Sequence, residues 1–232
     1  NGATFKIRLT TGIKDSSGNS IQNQYTISNG FTTWSGTQLF ANGSIRFSTY
    51  AGLKIASNGD SFITGLAYGS IEGYTHSGGS TDLLIMKYNN NGIKQWAKLI
   101  GTNLGDAGYN LNLDSSNNAY ITGYSSGNFD GLTNASNSAQ DYILYKMQSD
   151  GTKLWSKLEG GTYNEAGYAI AFDSSDNVYV TGYFGSASID GQTNSKSPYT
   201  VSFLAKHNSS GTRLWTKLFD TTSTNQWGNR ST

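Results

Sequence analysis

Cysteine is absent from the 232 residues and proline occurs once, at Pro198. The first absence excludes a disulfide framework, thiolate metal ligands and a cysteine nucleophile, and it leaves the redox compartment open. Charge is scarce too: 16 basic and 15 acidic residues give a net charge of +1, with only 13% of positions charged. Neither nucleic acid nor an anionic membrane has an electrostatic footprint to engage. No stretch approaches the roughly 18 apolar residues of a membrane span, and the opening NGATFKIRLTTG lacks the basic, apolar and small-residue order of a signal segment. It also starts without methionine and mid-pattern, so the chain reads as an excerpt of a longer polypeptide.

What is abundant is glycine, with 29 residues, together with Ser, Thr and Asn, while 35% hydrophobic and 13% aromatic content suffices for a packed core. Runs of helix formers at helical spacing are few, so the composition favours short strands and tight turns with almost no helix.

The pattern NAYITGY at 118–124 returns as NVYVTGY at 177–183 and, more weakly, as DSFITGL at 60–66. Gly65, Gly123 and Gly182 stand 58 and 59 residues apart, and Trp96, Trp155 and Trp215 stand 59 and 60 apart. A period of that size is the mark of a repeat architecture. Within 108–158, the runs GYNLNLD, NAYITGY, DYILYKM and TKLWSKL read as four β-strands separated by Gly/Asn/Asp/Ser clusters. Four strands per repeat is the count of a propeller blade. The fold class is therefore all-β, with three four-stranded blades at about 50–99, 108–158 and 167–218, as an incomplete ring or part of a larger or oligomeric propeller.

Asn91-Gly92, Asp150-Gly151 and Ser210-Gly211 mark the hairpin between the third and fourth strands, read as a tight primed turn. DSSNN at 114–118 and DSSDN at 173–177 read as turns in which an Asp or Asn side chain bonds nearby amides. Calcium ligation by Asp173, Ser175 and Asn177 is disfavoured, because Val178 stands where the EF-hand loop needs glycine and Phe184 where it needs glutamate. A longer polar loop follows the second strand at 67–80, 125–140 and 184–199, keeping an acid–glycine pair (Glu72-Gly73, Asp130-Gly131, Asp190-Gly191) with Thr75, Thr133 or Thr193 two residues on.

SSDNVYVTGY, IDGQT and SSGTRLWTKL together resemble the bacterial SBBP-type β-propeller repeat, in which an Asp-x-x-x-Asn-x-Tyr-x-Thr-Gly pattern is followed by Gly-Thr-x-x-Trp. The likeness covers about 34–232. Three positions depart: Ala56 stands where Asp114 and Asp173 stand, Phe62 replaces tyrosine, and Val201 replaces the aspartate seen as Asp82 and Asp141. Residues 3–33 resemble the last strands of a bacterial Ig-like domain, giving a domain reading of 1–33 as Ig-like tail or linker hairpin and 34–232 as propeller repeats. TTWSGTQLF at 32–40, with Trp34, resembles an orphan fourth strand, and 219–232 is left over.

Catalytic, cofactor-binding and metal residues are all read as none. His76 and His207 occupy different repeat positions and read as exposed rather than catalytic. No Ser–His–Asp order, zinc spacing or P-loop is present. Asp106 and Glu165, each two residues before a Gly-Tyr pair, and Gln226 in the third copy, form the best-placed acid series. Lys87, Lys146, Lys206, Lys94, Lys153, Arg213, Lys98, Lys157 and Lys217 recur in register, read as edge-strand charges that discourage aggregation. The expected function is a non-enzymatic, exported or surface-attached interaction module that binds a protein or glycan at the loop rim. Two alternatives stand beside it: a subunit that self-associates through an open blade edge into a filament or coat, and a hydrolase or quinone-dependent enzyme with its site in blades outside this stretch.

Overall fold

The computed structural model describes residues 5–7, 25–27, 45–46, 52–71, 73–136 and 138–219. Apart from a single 3-10 turn at Phe129–Gly131, the described regular structure is all strand. The first sheet contains β3 (Ile45–Arg46), β4 (Leu53–Ile55), β5 (Ser61–Ala67), β6 (Asp82–Tyr88) and β7 (Lys94–Ile100), with β3 and β4 both paired to β5. The second is β8 (Asp106–Leu113), β9 (Ala119–Ser125), β10 (Asp141–Met147) and β11 (Lys153–Glu159), and it is antiparallel in chain order. The third is β12 (Glu165–Phe172), β13 (Val178–Phe184), β16 (Val201–His207) and β17 (Arg213–Phe219); a small hairpin, β14 (Ser188–Ile189) and β15 (Gln192–Thr193), lies within its long loop. A separate pair, β1 (Phe5–Ile7) and β2 (Tyr25–Ile27), falls in the stretch likened to an Ig-like tail. The orphan strand at 32–40, Glu72, and the leftover from Asp220 onward, with Gln226, lie outside the described residues.

Two four-stranded blades, and a first sheet in which β3 and β4 share the place of the first strand, are thus the observed repeat, and β8 begins at Asp106, two residues before the expected start. The turns differ from expectation. Gly92, Gly151 and Gly211 do take positive φ, at 74°, 88° and 82°. Each follows a type I turn, however, in which its N–H donates to the carbonyl three residues back, as from Gly92 to Asn89. This is a type I turn with a glycine bulge, not a primed turn. The turns between first and second strands are built the same way, with Gly59, Asn117 and Asp176 at the positive-φ position. In four of the six turns an Asx oxygen at the first position does the bracing, and where Ala56 and Gln148 stand there instead, Asn58 and Asp150 at the third position accept an amide. Asp114 Oδ1 accepts from the N–H groups of Ser116 and Asn118, and Asn89 Oδ1 from those of Asn91 and Ile93.

A sheet with two apolar faces cannot stand in water alone, and each blade buries one face on its neighbour. β8 lies against β4, β5 and β6, and β12 lies against β8, β9 and β10. The first seam buries Phe62, Leu83, Ile85, Ile121, Ile143 and Met147; the second buries Tyr120, Tyr142, Leu144, Val180, Phe184 and Phe203.

Candidate functional site: blade seams and loop crowns

Each seam is assembled from the residues that recur in the sequence. Thr64, Thr122 and Thr181 donate their hydroxyls to the carbonyls of Leu84, Ile143 and Phe203 on the third strand, at 2.9, 2.7 and 2.7 Å. The first two then bear on the next blade. A β-carbon on Gly108 would stand 2.2 Å from Thr64 Oγ1, and one on Gly167 would stand 1.9 Å from Thr122 Oγ1. Opposite these glycines, Gly123 and Gly182 have no room either, with Ala107 O and Ala166 O at 1.9 and 1.8 Å from a would-be β-carbon. The Thr-Gly dipeptide and the glycine of the following first strand are therefore one contact.

The tryptophans reach in the same direction. Trp96 Nε1 donates to Ser149 O at 3.3 Å, and Trp155 Nε1 to Ser209 O at 3.2 Å, so each ring closes on the outer hairpin of the following blade. Turns between first and second strands also join: Ser115 gives its N–H to Asp176 Oδ1 at 3.1 Å and its hydroxyl to Oδ2.

The third-strand lysines are not edge charges but are paired within their blades. Lys146 Nζ meets Asp114 Oδ2 at 3.2 Å, Lys206 meets Asp173 at 3.0 Å, and Lys87 meets Asp60 at 2.9 Å. All three ammonium groups also sit over an aromatic ring, Tyr120, Tyr179 or Phe62, at 4.7, 5.0 and 5.2 Å from the centroid. In the first blade the carboxylate lost at Ala56 is supplied across the turn by Asp60, so the ion pair survives the departure from the repeat pattern. Lys153 and Arg213 anchor the long loops instead, through Asp130 at 2.7 Å and Asp190 at 2.7 Å.

His207 corrects the exposed reading outright: it is fully buried, with Nε2 at 3.2 Å from Glu159 Oε2. Tyr142 donates its hydroxyl to the same carboxylate, and Arg213 Nη1 lies 3.0 Å from it. Burial pushes the Glu159 carboxyl up, but the hydrogen bonds from His207 and Tyr142 and the guanidinium outweigh it and hold the group at about 2. His76 is likewise built in, with side-chain exposure of 13%. Its Nδ1 accepts from Gly78 N at 3.2 Å, the same bond that Asn134 Oδ1 takes from Ser136 N and Asn194 Oδ1 from Lys196 N, each at 3.0 Å.

Those two asparagines fix the long loops. Asn134 Nδ2 spans Ser125 O and Ala139 O, and Asn194 Nδ2 spans Phe184 O, Gly185 O and Tyr199 O. Above these clamps the crowns at 135–140 and 195–200 differ in sequence, and Tyr199 is exposed. Below them lie the acids of the expected series. Asp106 and Glu165 are buried at the foot of their strands, facing Asp82 and Asp141.

The family model of the SBBP β-propeller repeat matches residues 95–130 and 154–183. Two stretches of the chain are thus similar to the SBBP β-propeller repeat. Each match runs from the fourth strand of one blade to the second strand of the next or just beyond it, so the SBBP unit straddles a seam, taking in the Trp of one blade and the acid, Gly and Thr-Gly positions of the next. No curated protein matches the chain. The histidines and third-strand lysines were assigned to solvent because their partners are not neighbours in sequence: Lys87, Lys146 and Lys206 reach carboxylates in the first turn of their own blades, and His207 reaches Glu159 on the preceding blade.

Proposed function

We propose that this chain is a non-enzymatic interaction module of an exported or surface-attached protein, binding a protein or glycan at the loop rim formed by 67–80, 125–140 and 184–199. The observation that supports this reading is the division of each loop into a fixed stem and a variable crown. Stems are held by the same Asn clamp in the second and third blades, and by His76 in the first, while the crowns carry HSGGST, NASNSAQ and NSKSPYT. A rigid scaffold that repeats its stems and varies its tips presents a surface on which side chains are free to specify a partner. The acids beneath the loops are buried and held by backbone amides rather than open to a cleft, as glycoside hydrolysis requires. The cysteine-free, Asn- and Ser-rich surface suits an extracellular setting.

The test is binding of the purified chain to a glycan array and to immobilised matrix proteins. Replacement of 135–139 and 195–199 by Gly/Ser linkers should abolish any specific signal while the thermal midpoint stays within a few degrees. Signal that survives both replacements would place the ligand elsewhere.

A further inference from the structure

Two buried acid pairs recur at one place in the fold, under the connections that carry the chain from blade to blade. Asp82 opens β6 and Asp106 opens β8; Asp141 opens β10 and Glu165 opens β12. All four are at most 1% exposed. A single point beside Gly101 lies 2.2 Å from Asp82 Oδ1 and 3.1 Å from Asp106 Oδ2, and one beside Gly160 lies 2.1 Å from Asp141 Oδ1 and 2.6 Å from Glu165 Oε2. The glycine of each connection therefore rests where the two carboxyl groups meet. Asp82 Oδ1 and Asp141 Oδ1, the oxygens on that side, have no hydrogen-bond partner in the structure.

The other oxygens brace the loops, and of the facing ones Asp106 Oδ2 also accepts from Thr102 N and Oγ1 and Glu165 Oε2 from Gly161 N. Asp82 Oδ2 accepts from Ser77 N and Asp141 Oδ2 from Ala135 N; Glu165 accepts from Gly161, Gly185 and Ser186 N–H groups. Cations are missing from the surroundings: among the described residues no lysine or arginine forms an ion pair with any of the four. The titratable groups facing the first pair are His76, 3.8 Å from Asp82, and the Tyr124 phenol beside Asp106; each acid of the second pair faces the other. The third copy has neither member, with Val201 at the first position and Gln226 at the second.

We infer that each pair holds one proton between its two carboxyl groups, and that this shared proton latches adjacent blades and their loop stems at the connection. Two like charges at such a distance in a buried seam cannot both persist, whereas a protonated acid donates to the orphaned oxygen of its partner. Loss of the proton to solvent leaves two facing carboxylates and loosens the seam. Burial first, then the neighbouring Asp141, push Glu165 up to about 7, and burial raises Asp106 and Asp141 as well.

The folded-state values lie above those of the unfolded chain, so the latch is complete in mild acid and is lost as pH rises through about 7. The test is the urea midpoint between pH 5 and 9 for the chain and for Asp141→Val/Glu165→Gln, which installs the third copy's own residues. The chain should lose midpoint across pH 5 to 8, and the double variant should lose much less. Equal slopes would overturn the latch. Should the variant not fold, carbon-13 NMR of the side-chain carboxyls in the unmodified chain decides: a carboxyl titrating near neutrality supports it, and all carboxyls titrating below pH 5 overturn it. Millimolar calcium that raises the midpoint at pH 8 in the chain, but not in the variant, would assign the pairs to a cation and overturn the shared proton.

Discussion

Thr122 fills the space that a side chain on Gly167 would need, its Oγ1 lying 1.9 Å from the position of a β-carbon there. The hydroxyl is held by its bond to Ile143 O at 2.7 Å and cannot swing away freely. Gly167→Ala should therefore destabilise the chain by about 2 kcal/mol through overpacking. Thr122→Ala combined with Gly167→Ala should cost less than the two single changes added, because the methyl then occupies the vacated site. Urea unfolding of the three variants checks both statements, and strict additivity would show that the two residues do not bear on each other.

The ion pair of the first blade has moved across its turn, from the place of Ala56 to Asp60. Ala56→Asp with Asp60→Asn should restore the arrangement of the second blade and leave stability within about 1 kcal/mol of the original. Asp114→Ala should cost about 3 kcal/mol, since Lys146, with 9% side-chain exposure, would be stranded without its carboxylate. Thermal and urea midpoints of the two variants give the comparison.

Glu159 ties the second seam to His207, Tyr142 and Arg213, and its folded-state value of about 2 lies below that of an ordinary glutamate. A depressed carboxyl contributes stability that is present above its unfolded value, near 4.3, and is lost as pH falls through about 2. Glu159→Gln should thus flatten the acid limb of the stability profile below pH 4 and cost roughly 3 kcal/mol at pH 7. An unchanged acid limb would show that the carboxylate is not ionically held.

Asn194 closes the third crown with three carbonyl bonds from a residue only 3% exposed. Asn194→Ala should cost about 1 to 2 kcal/mol. Proteolytic cleavage should also accelerate within 195–199 before any other site is cut. Time-resolved digestion followed by mass analysis locates the first cut.

The blades were legible because strand alternation and turn glycines are local signals. Thr122 and Gly167 were each visible in the sequence as repeat residues, but their contact was not, since nothing local links positions 45 residues apart. His207 shows the limit most clearly. It stands at the strand position of Tyr88 and Met147, and no symmetry suggests that Glu159, whose counterpart in the first blade is Ile100, stands opposite it. The partner of Lys87 lies in its own blade and was hidden because the compensating aspartate has shifted within its turn. Asp106 and Glu165 were singled out from sequence, yet their pairing with Asp82 and Asp141 needed the connection to fold back over both.

Trp96 and Trp155 both reach forward, each to the hairpin of its successor, and Thr64 and Thr122 do the same toward the next glycine. An array wired this way has a direction, and both described junctions share the tryptophan, Thr–Gly and acid contacts. Excision of the middle unit would bring Trp96 to Ser209, Thr64 to Gly167 and Asp82 to Glu165, preserving each match. Recombination in whole units can therefore keep these three contacts at a new joint, whereas His207, which needs Glu159 and would meet Ile100 instead, would have to change with it.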